Sequence, residues 1–172
     1  VELAKVASAA GGKYTSHIRS EDLSVSAAFD EVITIAREAN IAVNISHIKV
    51  AMSEKYGMSV ALIDKLNSAR AEGLDVTADI YPYDGWQSTL AVLILSRDYY
   101  DRQAAEYALN SLIEPSMIIF TNYEGRPEYT GKTLEEIALE NNVEPVDMLM
   151  DLLQTADRDN LRQSIIGRNI YE

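Results

Sequence analysis

Two histidines occur in this chain, and each has a serine before it and a cation two residues after it. They are His17, in the segment TSHIR, and His47, in ISHIK; the cations are Arg19 and Lys49. A neutral imidazole binds zinc through one ring nitrogen, so two converging imidazoles could share one ion. The other interpretation is that each histidine forms only hydrogen bonds at the surface. Zinc sites usually have three or four ligands, so the pair alone leaves both interpretations open.

The two cations have different predicted roles. On an extended strand, Lys49 lies on the same side as His47, and its ammonium could hold a substrate carboxylate. A solvated lysine at the start of a loop is the alternative. Arg19 has the same relation to His17, and we expect it to pair with Glu21 and so orient the loop.

A third candidate position is the segment DIYPY, which begins at Asp79. The Asp79 carboxylate could bind a metal or accept an N–H from a histidine. Alternatively, it could accept backbone N–H groups in the following turn. Tyr81 or Tyr83 could donate an O–H to a developing oxyanion.

The elements that must position these residues alternate between helix and strand. Apolar residues recur every three or four positions in the helical segments, and β-branched residues fill the short runs between them. This pattern predicts a helix that ends at Gly11 and Gly12, helices over 25–39 and 60–69, and strands over 13–18, 41–48 and 74–80. Later in the chain it predicts a helix over 99–113, a strand over 116–121 and a T-x-x-E capping box formed by Thr133 and Glu136. Such alternation is typical of a parallel sheet, in which chemistry is carried by loops after the strand ends. His17, His47 and Asp79 all fall at that edge.

Composition excludes several classes of function. The chain has 172 residues and a net charge of −12, which disfavours nucleic acid and anionic membranes as partners. It has no cysteine, which excludes disulfides and fits a cytoplasmic location. No apolar run approaches the roughly 20 residues that span a bilayer.

Three motifs in order resemble the N-acyl-D-amino-acid deacylase (D-aminoacylase) family of the amidohydrolase superfamily. They are GGKYTSHIRSE, ISHIK and AEGLDVTADIYPY, and the likeness is strong over residues 1–90 and weaker as far as GKTLEEIA. The resemblance implies an α/β fold that is part of a TIM-like barrel, corresponding to strands five to seven with an inserted segment. We therefore expect one catalytic fragment, with βα units over 1–90, a possible lid over 91–130 and a helical return over 131–172.

The resemblance also implies the chemistry. His17 and His47 would be metal ligands, and Lys49 and Tyr81 would bind the substrate. Zinc, as one or two ions, would activate water to hydrolyse the amide of a small N-acyl amino acid. Arg19, Glu21 and Asp79 would have supporting roles.

Parts of the family pattern do not occur in this chain. It has neither the H-x-H pair of the first barrel strand, nor the bridging ligand of the third, nor the S-D-G segment that carries the catalytic base. We therefore expect an internal fragment that binds zinc weakly, is inactive alone and self-associates through exposed sheet edges. The alternatives are a cyclic-amide hydrolase of the dihydroorotase or hydantoinase kind, and a non-catalytic α/β module that oligomerises.

Overall fold

The computed structural model describes residues 1–170, and these form two compact units. The first unit comprises residues 1–82 and the second residues 83–170. Within the described part of the chain, no helix is both long and apolar enough to cross a bilayer.

The first unit consists of one parallel sheet with helices packed against it. The elements in chain order are α1 (Glu2–Ala9), β1 (Tyr14–Ser16), α2 (Val25–Ala39), β2 (Val43–Ile45), α3 (Ser59–Ala71) and β3 (Val76–Ala78). The strands pair in the order β1-β2-β3, with Tyr14 opposite Val43 and Val43 opposite Val76. The predicted α/β class and the parallel sheet of three strands are confirmed.

Helix α2 shows why this order of elements forms. Its apolar face, which includes the fully buried Val25 and Phe29, packs into the core of the first unit. Asn40 ends the helix in the left-handed conformation, with φ of 46° and its N–H bonded to the Ala36 carbonyl. Asparagine tolerates this conformation better than most residues do, so the chain can turn at once into β2.

The strands are shorter than predicted, and this matters for the site. The expected strand over 41–48 ends at Ile45, and His47 lies in a turn with φ of 42°. The strand over 13–18 ends at Ser16, so His17 follows it directly. Both histidines therefore leave the sheet as loop residues, in the region where parallel strands present functional side chains.

The second unit contains an antiparallel sheet that the sequence did not predict. The elements are β4 (Trp86–Ser88), α4 (Arg102–Tyr107), β5 (Ile118–Tyr123), α5 (Leu134–Glu140), α6 (Pro145–Asp159) and β6 (Gln163–Gly167). The strands pair in the order β4-β6-β5, and both pairings are antiparallel.

Two local features of the second unit are explained by its sequence. Gly167 lies opposite Trp86, and a Cβ built on this glycine would stand 2.3 Å from Trp86 Cζ2, so only glycine fits. Thr133 and Glu136 form the predicted capping box at the start of α5. The predicted helix over 99–113 is present as α4 followed by a π-helical turn, Ala108–Leu112.

Candidate metal centre

The two histidines converge after the ends of β1 and β2. His17 Nδ1 lies 3.2 Å from His47 Nε2, and the ring centroids are 4.9 Å apart. Because β1 and β2 are paired neighbours in register, the loops that leave them begin side by side. The first residue after β1 and the second residue after β2 therefore meet, although 30 positions separate them in the chain.

The backbone around His47 is held by Asp79, which follows β3. Its carboxylate accepts the His47 backbone N–H at 2.6 Å and the Asn44 side-chain amide at 2.6 Å. Its backbone carbonyl accepts the Ile48 N–H at 2.9 Å. The His47 backbone bond and then the Asn44 bond keep the pKa of Asp79 below its usual value. Asp79 therefore stabilises the left-handed turn at His47. It accepts a backbone N–H, as one of the predictions had it, but from the loop after β2 and not from the turn that follows Asp79 itself.

Glu21 lies with the two histidines and not with Arg19. Its Oε1 is 3.1 Å from His47 Nδ1 and 3.5 Å from His17 Nδ1. The expected Arg19–Glu21 pair is wrong, because the Arg19 guanidinium donates two hydrogen bonds to Glu31 on α2, at 2.7 and 2.9 Å. Arg19 is thus anchored to a helix and turned away from the cluster.

Sequence reasoning gave Glu21 only a supporting role. One available signal was its position four residues after His17, in a loop at the functional edge of the sheet. What places it is tertiary: its backbone carbonyl accepts the Ala51 N–H at 2.8 Å, which joins the loop after β1 to the loop after β2.

Lys49 is a buried cation of this cluster and not a solvated lysine. Its side chain is 7% exposed, and its Nζ donates to Glu21 Oε1 at 2.6 Å and to the His47 carbonyl at 3.2 Å. Nζ also lies 2.9 Å from His47 Nδ1. Lys49 lies close to His47, as predicted. The turn at His47 brings the two side chains together, whereas the prediction assumed an extended strand.

Tyr81 completes the group on the side of β3. Its ring lies 5.8 Å from Lys49 Nζ and 6.5 Å, centroid to centroid, from the His47 ring. Burial, and then the nearby charge of Glu21, raise the pKa of its phenol. Tyr81 therefore keeps its proton at neutral pH and can donate a hydrogen bond. Tyr83, the other tyrosine considered, belongs to the second unit and is exposed.

The donor atoms of this cluster fit a zinc ion. Two atoms each about 2.0–2.1 Å from a tetrahedral zinc stand about 3.3–3.4 Å apart. The His17–His47 separation of 3.2 Å and the His17–Glu21 separation of 3.5 Å fall close to this value. Among residues 1–170, the potential ligand atoms of His17, Glu21 and His47 all lie within 4.8 Å of one another. Imidazole nitrogen and carboxylate oxygen are both zinc ligands.

Comparison with known proteins shows what this arrangement resembles. No family model matches the chain. The chain is 46% identical over 88 residues to an N-acyl-D-glutamate deacylase of Alcaligenes xylosoxydans xylosoxydans, covering 51% of this chain and 18% of the relative. It is 30% identical over 155 residues to a D-aminoacylase of the same organism, covering 88% of this chain and 28% of the relative.

A solved structure extends this similarity to the fold. It is the N-acyl-D-glutamate deacylase of Bordetella bronchiseptica, complexed with zinc and with a phosphonate inhibitor that mimics the tetrahedral intermediate of its reaction. The match has a TM-score of 0.74 and 28% identity, and covers 98% of this chain and 30% of that chain. The chain thus spans less than a third of the length of each of these proteins.

These similarities place the chain among homologues of amidohydrolases, which hydrolyse C–N bonds. The α/β sheet, whose loops bring two histidines together, agrees with this class. Within that class, the predicted resemblance to the N-acyl-D-amino-acid deacylases, or D-aminoacylases, is confirmed.

Proposed function

We propose that this chain is part of a metal-dependent amidohydrolase that removes the acyl group from N-acyl-D-amino acids. The observation that carries the proposal is the approach of His17 Nδ1 to within 3.2 Å of His47 Nε2, after the ends of neighbouring parallel strands. The relatives that act on N-acyl-D-glutamate and the zinc in the solved deacylase support the same assignment.

The proposed architecture is a TIM-like barrel to which β1, β2 and β3 contribute the fifth, sixth and seventh strands. Three consecutive parallel strands, joined by α2 and α3, are the repeating unit of such a barrel. The roles of residues 91–130 as an inserted lid and 131–172 as a return belong to this proposal.

The proposed metal is zinc, held by His17 and His47. When bound, zinc polarises a carbonyl oxygen and lowers the pKa of water, so that hydroxide forms near neutral pH. Asp79 keeps the His47 backbone in the turn from which the ring reaches His17. No residue of this chain is assigned as the catalytic base.

Lys49 and Tyr81 are the proposed substrate-binding residues. Every N-acyl amino acid carries an α-carboxylate, and the Lys49 ammonium is a cation beside the proposed metal ligands that could bind it. The Tyr81 phenol is protonated at neutral pH, as tyrosines ordinarily are, and burial raises its pKa further, so it can donate an O–H to the same substrate. Most cyclic amides have no free α-carboxylate. A lysine placed to bind a carboxylate therefore favours N-acyl amino acids as the substrate class.

Zinc titration of the chain tests the proposal. We expect binding that the His17→Ala, His47→Ala double variant abolishes, while Asp157→Asn on α6 leaves it unchanged as a control for non-specific acidic sites. Binding that survives the double variant contradicts the proposal. A chain that binds no zinc yet oligomerises supports the non-catalytic α/β module, and turnover of a hydantoin in preference to an N-acetyl-D-amino acid supports the cyclic-amide hydrolase.

A further inference from the structure

A polar residue, Asn44, occupies the middle of β2 between two buried neighbours. Val43 and Ile45 belong to the core that the helices cover, and successive side chains of a strand alternate, so Asn44 lies on the other face of the sheet. Its partner in register on β3 is Thr77. Since paired residues of neighbouring strands lie about 4.8 Å apart on the same face, their side chains can bond to each other.

A chain of hydrogen bonds runs from Thr77 to the backbone of His47. The Thr77 hydroxyl donates to Asn44 Oδ1 at 2.9 Å, and the Asn44 amide donates to Asp79 Oδ2 at 2.6 Å. The other oxygen of that carboxylate, Oδ1, accepts the His47 N–H at 2.6 Å. Three side chains thus connect the middle of the sheet to the turn that carries His47.

The donors and acceptors of this chain can be arranged in one direction only. An ionised carboxylate only accepts hydrogen bonds, so the Asn44 NH2 group must face Asp79 and the Asn44 oxygen must face Thr77. An amide oxygen also only accepts, so Thr77 must donate to it. The Val43 carbonyl oxygen lies 3.1 Å from the same hydroxyl, which is the longer of its two distances. The Thr77 hydroxyl therefore fixes the orientation of the Asn44 amide.

The backbone of His47 requires support because its conformation is unfavourable. Its φ of 42° lies in the left-handed region, which a residue with a Cβ enters at an energetic cost. Such a conformation persists only where the surrounding contacts fix it. From this turn His47 Nε2 reaches to within 3.2 Å of His17 Nδ1, so a change of φ at His47 would move the two rings apart.

We propose that Asn44 is a positioning residue of the metal centre: its amide aims the Asp79 carboxylate at the His47 N–H and so keeps the His47 ring beside His17. Thr77 supports this role because it fixes the direction of the amide. The inference rests on the proposed function for the identity of His47 as a metal ligand. Asn44 and Thr77 act through the backbone of His47 and are not ligands themselves.

The backbone conformation of His47 in the metal-free chain is the first readout. A strong intraresidue NOE between HN and Hα marks a positive φ, and the NOE weakens when the residue becomes extended. We expect a strong NOE in the wild type and its loss in Asn44→Leu, which has neither the donor nor the acceptor. Thr77→Val, which keeps the shape but not the hydroxyl, should weaken the NOE, whereas Thr77→Ser should retain it. An NOE of wild-type strength in Asn44→Leu overturns the proposal.

Zinc affinity gives the second readout. Loss of a group that orients a histidine ligand from behind weakens metal binding, and we expect a loss of about 10-fold in Asn44→Leu and Thr77→Val but not in Thr77→Ser. Thr15→Val is the matched control, since Thr15 lies opposite Asn44 on β1 but outside this chain of hydrogen bonds. It should change neither readout. Equal losses in Thr15→Val would assign the effect to any apolar change on this face of the sheet and would overturn the proposal.

Two comparisons keep the outcome decisive. If Asn44→Leu does not fold, as its melting curve would show, the Thr77→Val and Thr77→Ser variants decide, because they differ at the hydroxyl; equal His47 NOEs in these two variants contradict the proposal. A wild type that binds no zinc refutes the proposed function, whereas the His47 NOE in the metal-free chain still decides the role of Asn44.

Discussion

At the scale of single residues, the site depends on carboxylates that position the histidine and lysine beside them. Asp79 holds the His47 backbone through a 2.6 Å hydrogen bond, and Glu21 holds Lys49 through another of the same length. Both carboxylates can therefore affect the geometry of the site without contacting a substrate. The electrostatic environment of the site is therefore set by paired charges. In the Lys49–Glu21 pair, both side chains are largely buried from water.

Arg19 offers a test of the residue assignments. Its hydrogen bonds, and then its charge, lower the pKa of Glu31 below the usual 4.5. We expect Arg19→Gln to raise that pKa towards 4.5, as followed by NMR titration of the Glu31 carboxyl group. The pair stabilises the folded state above pH 4.5, and this contribution is lost as the pH falls through the lowered pKa of Glu31.

The same variant separates Arg19 from the metal cluster. Because Arg19 points to Glu31 and not to Glu21, Arg19→Gln should leave zinc affinity unchanged. Since the pair is exposed at the surface, the melting temperature at neutral pH should change little. A large loss of zinc affinity in Arg19→Gln would contradict this placement.

At the scale of elements, the helix ends decide where the strands begin. Asn40 stands in the left-handed conformation between α2 and β2, and β2 leads to His47. An alanine in this conformation costs roughly 1 kcal/mol or more. We expect Asn40→Ala to lower the melting temperature by about 2–4 °C per kcal/mol lost, and Asn40→Gly to melt close to the wild type. Equal melting of the two variants would show that the left-handed turn is not under strain.

The sequence predicted the elements that depend on local pattern. Helix α2 was predicted over its full length because Val25, Phe29 and Val32 repeat at helical spacing and are all buried. The capping box at Thr133 is likewise local. The antiparallel sheet was missed because β4 has only three residues, and its partner β6 lies nearly eighty residues later in the chain. Such pairing leaves little signal within a short window of sequence.

The site shows the same division. His17, His47 and Asp79 could be brought to one edge by reasoning, because parallel strands end together. Glu21 could not be placed, because the Ala51–Glu21 hydrogen bond joins two irregular loops. The ends of the strands were also set by such contacts: the Asp79 hydrogen bonds draw His47 into a turn where the sequence pattern favoured continued strand.

At the scale of the whole molecule, the parallel sheet has two outer strands. Among residues 1–170, neither β1 nor β3 pairs with a strand other than β2. Unpaired strand edges favour pairing with another chain. We expect the sedimentation coefficient of the chain to rise with concentration, and Thr15→Lys, an exposed position in β1, to reduce this rise.

A control variant makes the edge argument specific. Gln103→Lys on α4 makes the same change in net charge without touching a strand edge. It should leave the association as it is in the wild type. Equal effects of the two lysine variants would assign the association to net charge, and a chain that stays monomeric at every concentration would contradict the edge proposal.

Anomalous diffraction at the zinc edge, from crystals of the chain grown with zinc, tests the shared metal site most directly. The account predicts one peak about 2.0–2.1 Å from both His17 Nδ1 and His47 Nε2. A peak elsewhere, or two rings bonded directly to each other with no peak between them, would contradict it.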